Sequence, residues 1–132
     1  MSINVGQVSH FLSDGSRFYA YSGIVQGDVS VPATITLIDI PNTGLKDSFV
    51  KIIPSYGKLI SGNSGSVLGI SILIDGIEVA NSQQYYQQSA DASRATIFEL
   101  FIPRGSKLEI ISLNTANNNT QNRGCTMLGW CL

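Results

Sequence analysis

Gly69-Ile70-Ser71-Ile72-Leu73-Ile74-Asp75-Gly76-Ile77-Glu78-Val79-Ala80 is the stretch that decides the fold class. Two runs rich in β-branched residues meet at Asp75-Gly76. A two-residue hairpin turn needs positive φ at its central positions, and Asp-Gly tolerates it at little steric cost. The stretch therefore predicts two antiparallel strands joined by a tight turn. The same grammar repeats on both sides of it. Upstream, residues 33–40 follow Pro32, with Ala33, Ile35 and Leu37 alternating with Thr34 and Thr36. That alternation suits a strand with one buried face. Pro41-Asn42-Thr43-Gly44 is turn chemistry. Residues 48–53 form a further apolar run that Pro54 is expected to stop, and a weaker run at 56–60 leads into a Ser/Gly loop at 61–66. Residues 17–26 open the series with Phe18, Tyr19 and Tyr21.

Downstream, residues 81–95 are Gln-rich and read as a long loop or a ragged edge strand. A strand is expected at 96–102, then a turn at Pro103-Arg104-Gly105-Ser106, then a strand at 107–114 with Leu108 and Ile110 on one face. An Asn-rich loop at 115–123 precedes a last strand at 124–132. No stretch carries a helical apolar stripe. Short alternating runs cut by Gly, Pro, Asn and Asp predict an all-β chain. The strand count and loop lengths fit an antiparallel β-sandwich of jelly-roll type, about eight strands. It spans residues 17–132, with residues 1–16 as an extended N-terminal arm.

The composition narrows the function classes. The chain has 132 residues, 43% of them apolar, enough for one domain with a real core. Only 13% are charged and the formal net charge is −1, against roughly 25% charged in an ordinary soluble domain. No basic excess exists to neutralise phosphates, so no nucleic-acid partner is expected. No apolar run reaches membrane-span length, so no membrane partner is expected. Residues 1–7 lack the pattern of a secretory signal peptide. Ser, Thr, Asn and Gln fill the place of charge, with 40 residues among them. Such a neutral surface suits a stable extracellular or viral β-domain. It also suits a surface covered by copies of itself or by a larger particle, because low charge favours association.

The last strand sharpens this. Cys125, Met127, Gly129 and Cys131 fall on one face, and Thr126, Leu128, Trp130 and Leu132 on the other. Neither face carries a charge, so both need cover. The sandwich core covers one. A second subunit, or the arm of residues 1–16, covers the other, and a second subunit is favoured because the strand, read as an exposed edge, would otherwise invite uncontrolled pairing. Met127, Leu128, Trp130 and Leu132, with Tyr85 and Tyr86 of the Gln-rich segment, are the candidate interface residues.

Catalytic chemistry finds little support in the residues. His10 is the lone histidine and lies in the predicted arm, a poor platform for a Ser/His/Asp set. Glu99 and Glu109 sit on adjacent predicted strands and could pair for glycoside hydrolysis, or simply face solvent. The scattered Asp residues read as turn formers. Gly62, Gly65 and Gly69 do not match a nucleotide-binding loop. Asn118-Asn119-Thr120 spells a glycosylation sequon within an Asn run. Cys125 and Cys131, six residues apart on an extended strand, would lie roughly 20 Å apart, beyond the about 7 Å a disulfide allows. They read as buried free thiols. No cofactor, metal or catalytic residue is expected. Tyr85, Tyr86 or Trp130 could instead stack on a sugar ring.

Residues 17–132 resemble the small jelly-roll proteins that decorate or cement the capsids of tailed bacteriophages. They are also similar to jelly-roll heads of phage fibres and to the trimeric tumour-necrosis-factor-like fold. The residues that carry this likeness are Leu100-Phe101-Ile102-Pro103-Arg104-Gly105-Ser106-Lys107-Leu108-Glu109-Ile110 and the Asp75-Gly76 hairpin. The resemblance implies a non-enzymatic virion structural protein: a homotrimer that docks on the major capsid protein and stabilises the head shell. It locates the protein on the capsid surface after synthesis in the host cytoplasm. The alternative is a carbohydrate- or receptor-binding module of a phage fibre or tail.

Overall fold

The computed structural model describes residues 10–13, 17–22, 34–56, 67–85, 97–114 and 123–132. These residues contain nine strands: β1 (His10–Ser13), β2 (Arg17–Tyr21), β3 (Thr34–Ile40), β4 (Ser48–Tyr56), β5 (Val67–Ile74), β6 (Ile77–Tyr85), β7 (Phe98–Ile102), β8 (Leu108–Asn114) and β9 (Arg123–Cys131). One sheet has the order β1-β2-β9-β4-β7 and the other β3-β8-β5-β6. All pairings are antiparallel. From β2 onward each connection switches sheets, except the β5–β6 hairpin. That is jelly-roll connectivity over eight strands, with β1 added outside β2.

The alternation seen in the sequence sets the two inner faces. Phe18 and Ala20 of β2, Val50 and Ile52 of β4, Ile102 of β7, and Cys125 and Met127 of β9 point inward from one sheet. Ile35, Ile38 and Ile40 of β3, Leu108 and Ile110 of β8, and Ile70 and Ile72 of β5 meet them from the other. Two bulges adjust the register, one at Leu37 between Thr36 and Ile38 and one on β6 opposite Ile72 and Leu73. The expected hairpin is present: Asp75 has φ 52° and Gly76 φ 80°, positive at both central positions.

Two expectations need correction. Pro54 does not stop β4, which runs on to Tyr56. Pro54 pairs with Cys125 of β9 on one side, while pairing with β7 ends at Ile52. Among the described residues β4 has no second ladder beyond that point, so the missing N–H is tolerated. Within the expected arm, His10–Ser13 is extended chain that pairs with β2 as an added strand. The last strand is not an edge: β9 lies between β2 and β4 and is hydrogen-bonded on both sides. The expectations placed on residues 1–9, 14–16, 23–33, 57–66, 86–96 and 115–122 lie outside the described residues.

One end of the sandwich is stitched by its turns. Thr43 N–H donates to Ser106 O at 2.9 Å, and Gly105 N–H donates to Gly44 O at 2.9 Å. Arg104 N–H donates to Asp47 Oδ1 at 2.9 Å. Leu132 N–H donates to Asp47 O at 2.8 Å. Lys107 N–H donates to Asp75 Oδ1 at 2.8 Å. Segment 41–47, turn 103–107 and the end of β9 therefore form a rigid rim beside the outer face described next.

Candidate functional site

The outer face of the five-stranded sheet is built by the residues that alternate with the core. Phe18 and Ala20 face in, so Arg17, Tyr19 and Tyr21 of β2 face out. The same parity sends Thr126, Leu128 and Trp130 outward from β9, Phe49, Lys51 and Ile53 from β4, and Glu99 and Phe101 from β7. The strand register aligns them into rows. Arg17, Trp130, Phe49 and Phe101 form one row across four strands. Tyr19, Leu128, Lys51 and Glu99 form the next. Phe49 and Trp130 are in contact, ring centroids 6.4 Å apart and tilted by 36°.

Five rings stand open on this face: Tyr19 at 41%, Tyr21 at 40%, Phe49 at 36%, Phe101 at 52% and Trp130 at 40% exposure. At roughly 200 Å² per ring, that leaves on the order of 400 Å² of aromatic surface in water. Half-buried Leu128 and exposed Leu132 enlarge it. The largest apolar patch on a typical monomer is about 300–600 Å² and is often functional, so this face is the candidate interaction surface. A shallow hollow beside Trp130 is lined by Arg17, Tyr19, Leu128, Gly129 and Trp130. Its volume of about 90 Å³ is well below the roughly 300–1,000 Å³ of ligand pockets. The face is thus shaped for a broad, flat contact.

Charge on the face is sparse and ordered. Arg17 stands on the β2 side. Lys51 and Glu99 are register partners on the β7 side. The second sheet presents different chemistry. There the Glu78 carboxylate accepts hydrogen bonds from the Ser71 hydroxyl and from Asn81 Nδ2, the latter at 2.6 Å. These bonds, Ser71 first, hold its pKa below the usual carboxylate value.

The structure separates the sequence-derived candidates. Leu128, Trp130 and Leu132 share the outer face. Met127 does not belong with them: it is fully buried in the core. Adjacent strand residues point to opposite sides, so Met127 and Leu128 cannot serve one surface. The backbone of Tyr85 ends β6, at the edge of the other sheet, paired with Val67. Tyr86 lies outside the described residues. Glu99 and Glu109 point outward from different sheets and so lie on opposite sides of the sandwich, which removes them as a carboxylate pair. Cys125 and Cys131 are free thiols on the inner side of β9. Among the described residues no group of three His, Cys, Asp or Glu side chains could hold a metal ion.

Sequence reasoning missed Arg17, Tyr19, Tyr21, Phe49 and Phe101. Their alternation with core residues was a local signal for an outward position. Their meeting on one face was not local, since it depends on register between strands far apart in sequence.

Burial gives Cys125 a measurable signature. Loss of solvent pushes its thiol up to about 12. In the unfolded chain the thiol ionises near its ordinary value of 9.0. Between those values the unfolded state sheds a proton that the folded state keeps, so folding stability falls as pH rises from about 9 to about 12 and is unaffected below that window. Urea midpoints measured from pH 8 to 11 are expected to fall more steeply for the unmodified protein than for Cys125→Ala. Parallel profiles would contradict the assigned burial.

No protein-family model and no curated sequence matches the chain. Solved structures do. One is the cupin domain of Schizosaccharomyces pombe Cnp3, at 11% identity and TM-score 0.39, matching 96% of this chain and 64% of that one. Another is the infectious bursal disease virus VP2 subviral particle, at 13% identity and TM-score 0.40, matching 95% of this chain and 32% of that one. A third is the T13 particle of the same virus, at 18% identity and TM-score 0.42, matching 95% of this chain and 31% of that one. The chain therefore spans under two thirds of the cupin chain and about a third of the viral chains.

Proposed function

We propose that the chain is a non-enzymatic structural protein of a virus particle. In the finer form of this reading it is a decoration or cement protein of a tailed-bacteriophage head, which associates with copies of itself and docks on the major capsid protein. The observation that carries it is the outer face of the five-stranded sheet. Rings from four adjacent strands stand half-exposed there on a rigid framework, with a hollow too small to enclose a ligand. The neutral, amide-rich composition agrees, because weak charge gives little electrostatic barrier to assembly. A rigid sandwich that bridges neighbouring capsid subunits adds contact area that is lost when they separate. Many weak contacts summed over symmetry copies resist expansion of the shell.

Head shells lacking the protein are the reagent that tests this. The purified chain is expected to bind them and to raise the temperature at which they break, and Phe101→Glu is expected to weaken binding. Shells that neither bind it nor gain heat resistance would overturn the reading. A glycan-array signal abolished by Trp130→Ala would replace it with the carbohydrate-binding alternative.

A further inference from the structure

The outer face is its own complement. We propose that a second copy of this chain covers it, sheet against sheet, about a two-fold axis that lies in the interface and runs parallel to the strands between β9 and β4. This rests on the reading above, that the face is covered in the assembled particle, and it names the cover.

The arrangement of charge selects that axis. A two-fold axis parallel to the strands turns the sheet over left to right. The β2 side of one copy then lies over the β7 side of the other, and β9 lies over β4. Arg17 meets Phe101 of the second copy, with Glu99 of that copy one pleat further along the same strand. A guanidinium over a ring and beside a carboxylate is favourable on both counts. Trp130 of each copy meets Phe49 of the other, so the Phe49–Trp130 contact already present in one chain becomes a four-ring cluster at the axis. The other in-plane axis, perpendicular to the strands, would set β2 over β2 and β7 over β7. It would bring Arg17 towards Arg17 and Glu99 towards Glu99, and like charges set against each other oppose association.

The area is of the right order. The on the order of 400 Å² of open ring surface, with Leu128, Ile53, Leu132 and the stem of Lys51 around it, approaches the about 800 Å² per partner of a standard interface. Two sheets can pack this way because aligned face-to-face packing at about −30° follows from their twist. An isologous pair closes on itself. It therefore replaces the homotrimer that the resemblance implies.

The experiment is sedimentation of the full chain, with charge exchange across the face. The unmodified protein is expected at twice its 14.2 kDa chain mass. Arg17→Glu alone and Glu99→Arg alone are each expected to raise the dimer dissociation constant by about tenfold or more. The double variant Arg17→Glu/Glu99→Arg is expected to return it to within about threefold of the original, because the exchange restores the match. Glu109→Gln, on the opposite sheet, is expected to leave it unchanged. The unmodified chain supplies a second readout that needs no variant. Trp130 is its lone tryptophan, so emission is expected to move to shorter wavelength as concentration rises through the dissociation constant. A trimer, a monomer with concentration-independent emission, or a double variant no better than the singles would each overturn the pairing. A monomer that still binds head shells would overturn the pairing alone. A monomer that binds none would overturn the structural-protein reading as well.

Discussion

Gly129→Ala is expected to destabilise the fold by about 3 kcal/mol, near the top of the usual range for overpacking a core. A Cβ at position 129 would lie 2.1 Å, 2.3 Å and 2.5 Å from three ring atoms of Phe18. Phe18 is the direct cross-strand partner of Gly129, and its ring covers the space that a side chain would need. With only 4% of Phe18 exposed, the ring has little room to retreat. Urea unfolding would read the loss as a lower midpoint at constant slope. Phe18→Leu in the same background is expected to recover part of it, since a shorter side chain opens the space. A Gly129→Ala variant within about 0.5 kcal/mol of the parent would mean that Phe18 does not lie over Gly129.

Ile110→Ala is the second large effect, about 2–5 kcal/mol from lost burial plus the cavity left behind. Ile110 sits on β8 in the middle of its sheet, paired with Ile38 on one side and Ile72 on the other, and is fully buried. Neighbours held on two ladders cannot collapse easily into the gap, which favours the upper half of that range. The adjacent residue makes the control. Ile111 points outward and is only half-buried, so Ile111→Ala is expected to cost about 1 kcal/mol or less. Equal losses at the two positions, or a larger one at Ile111, would put the wrong face of β8 in the core.

Local chemistry made much of the architecture legible. Asp75-Gly76 named its own turn, because few residue pairs accept positive φ at both positions. Pro103-Arg104-Gly105-Ser106 did the same, and Gly105 takes φ 71° there. Alternation told which residues of each strand share a side: Leu108 with Ile110, Cys125 with Met127, Leu128 with Trp130. Pro54 misled because a proline within a strand is a fault only where its N–H is needed. Whether it is needed depends on how far β7 extends alongside β4, and nothing near Pro54 records that. The last strand misled in a similar way. Its apolar faces were read correctly, but its place at an edge was not, because neighbours in a sheet are chosen by strands distant in sequence.

The candidate site shows the division most plainly. By itself the sequence determined an all-β chain, its principal turns, the two faces of each strand and a surface poor in charge, since all of these follow from steric limits and side-chain period within a few residues. Only the tertiary structure decided that Arg17, Trp130, Phe49 and Phe101 stand in one row, that Met127 belongs to the core, and that Glu99 and Glu109 face away from each other. Those outcomes depend on which strands pair and in what register, and that choice is made by burying the whole core at once.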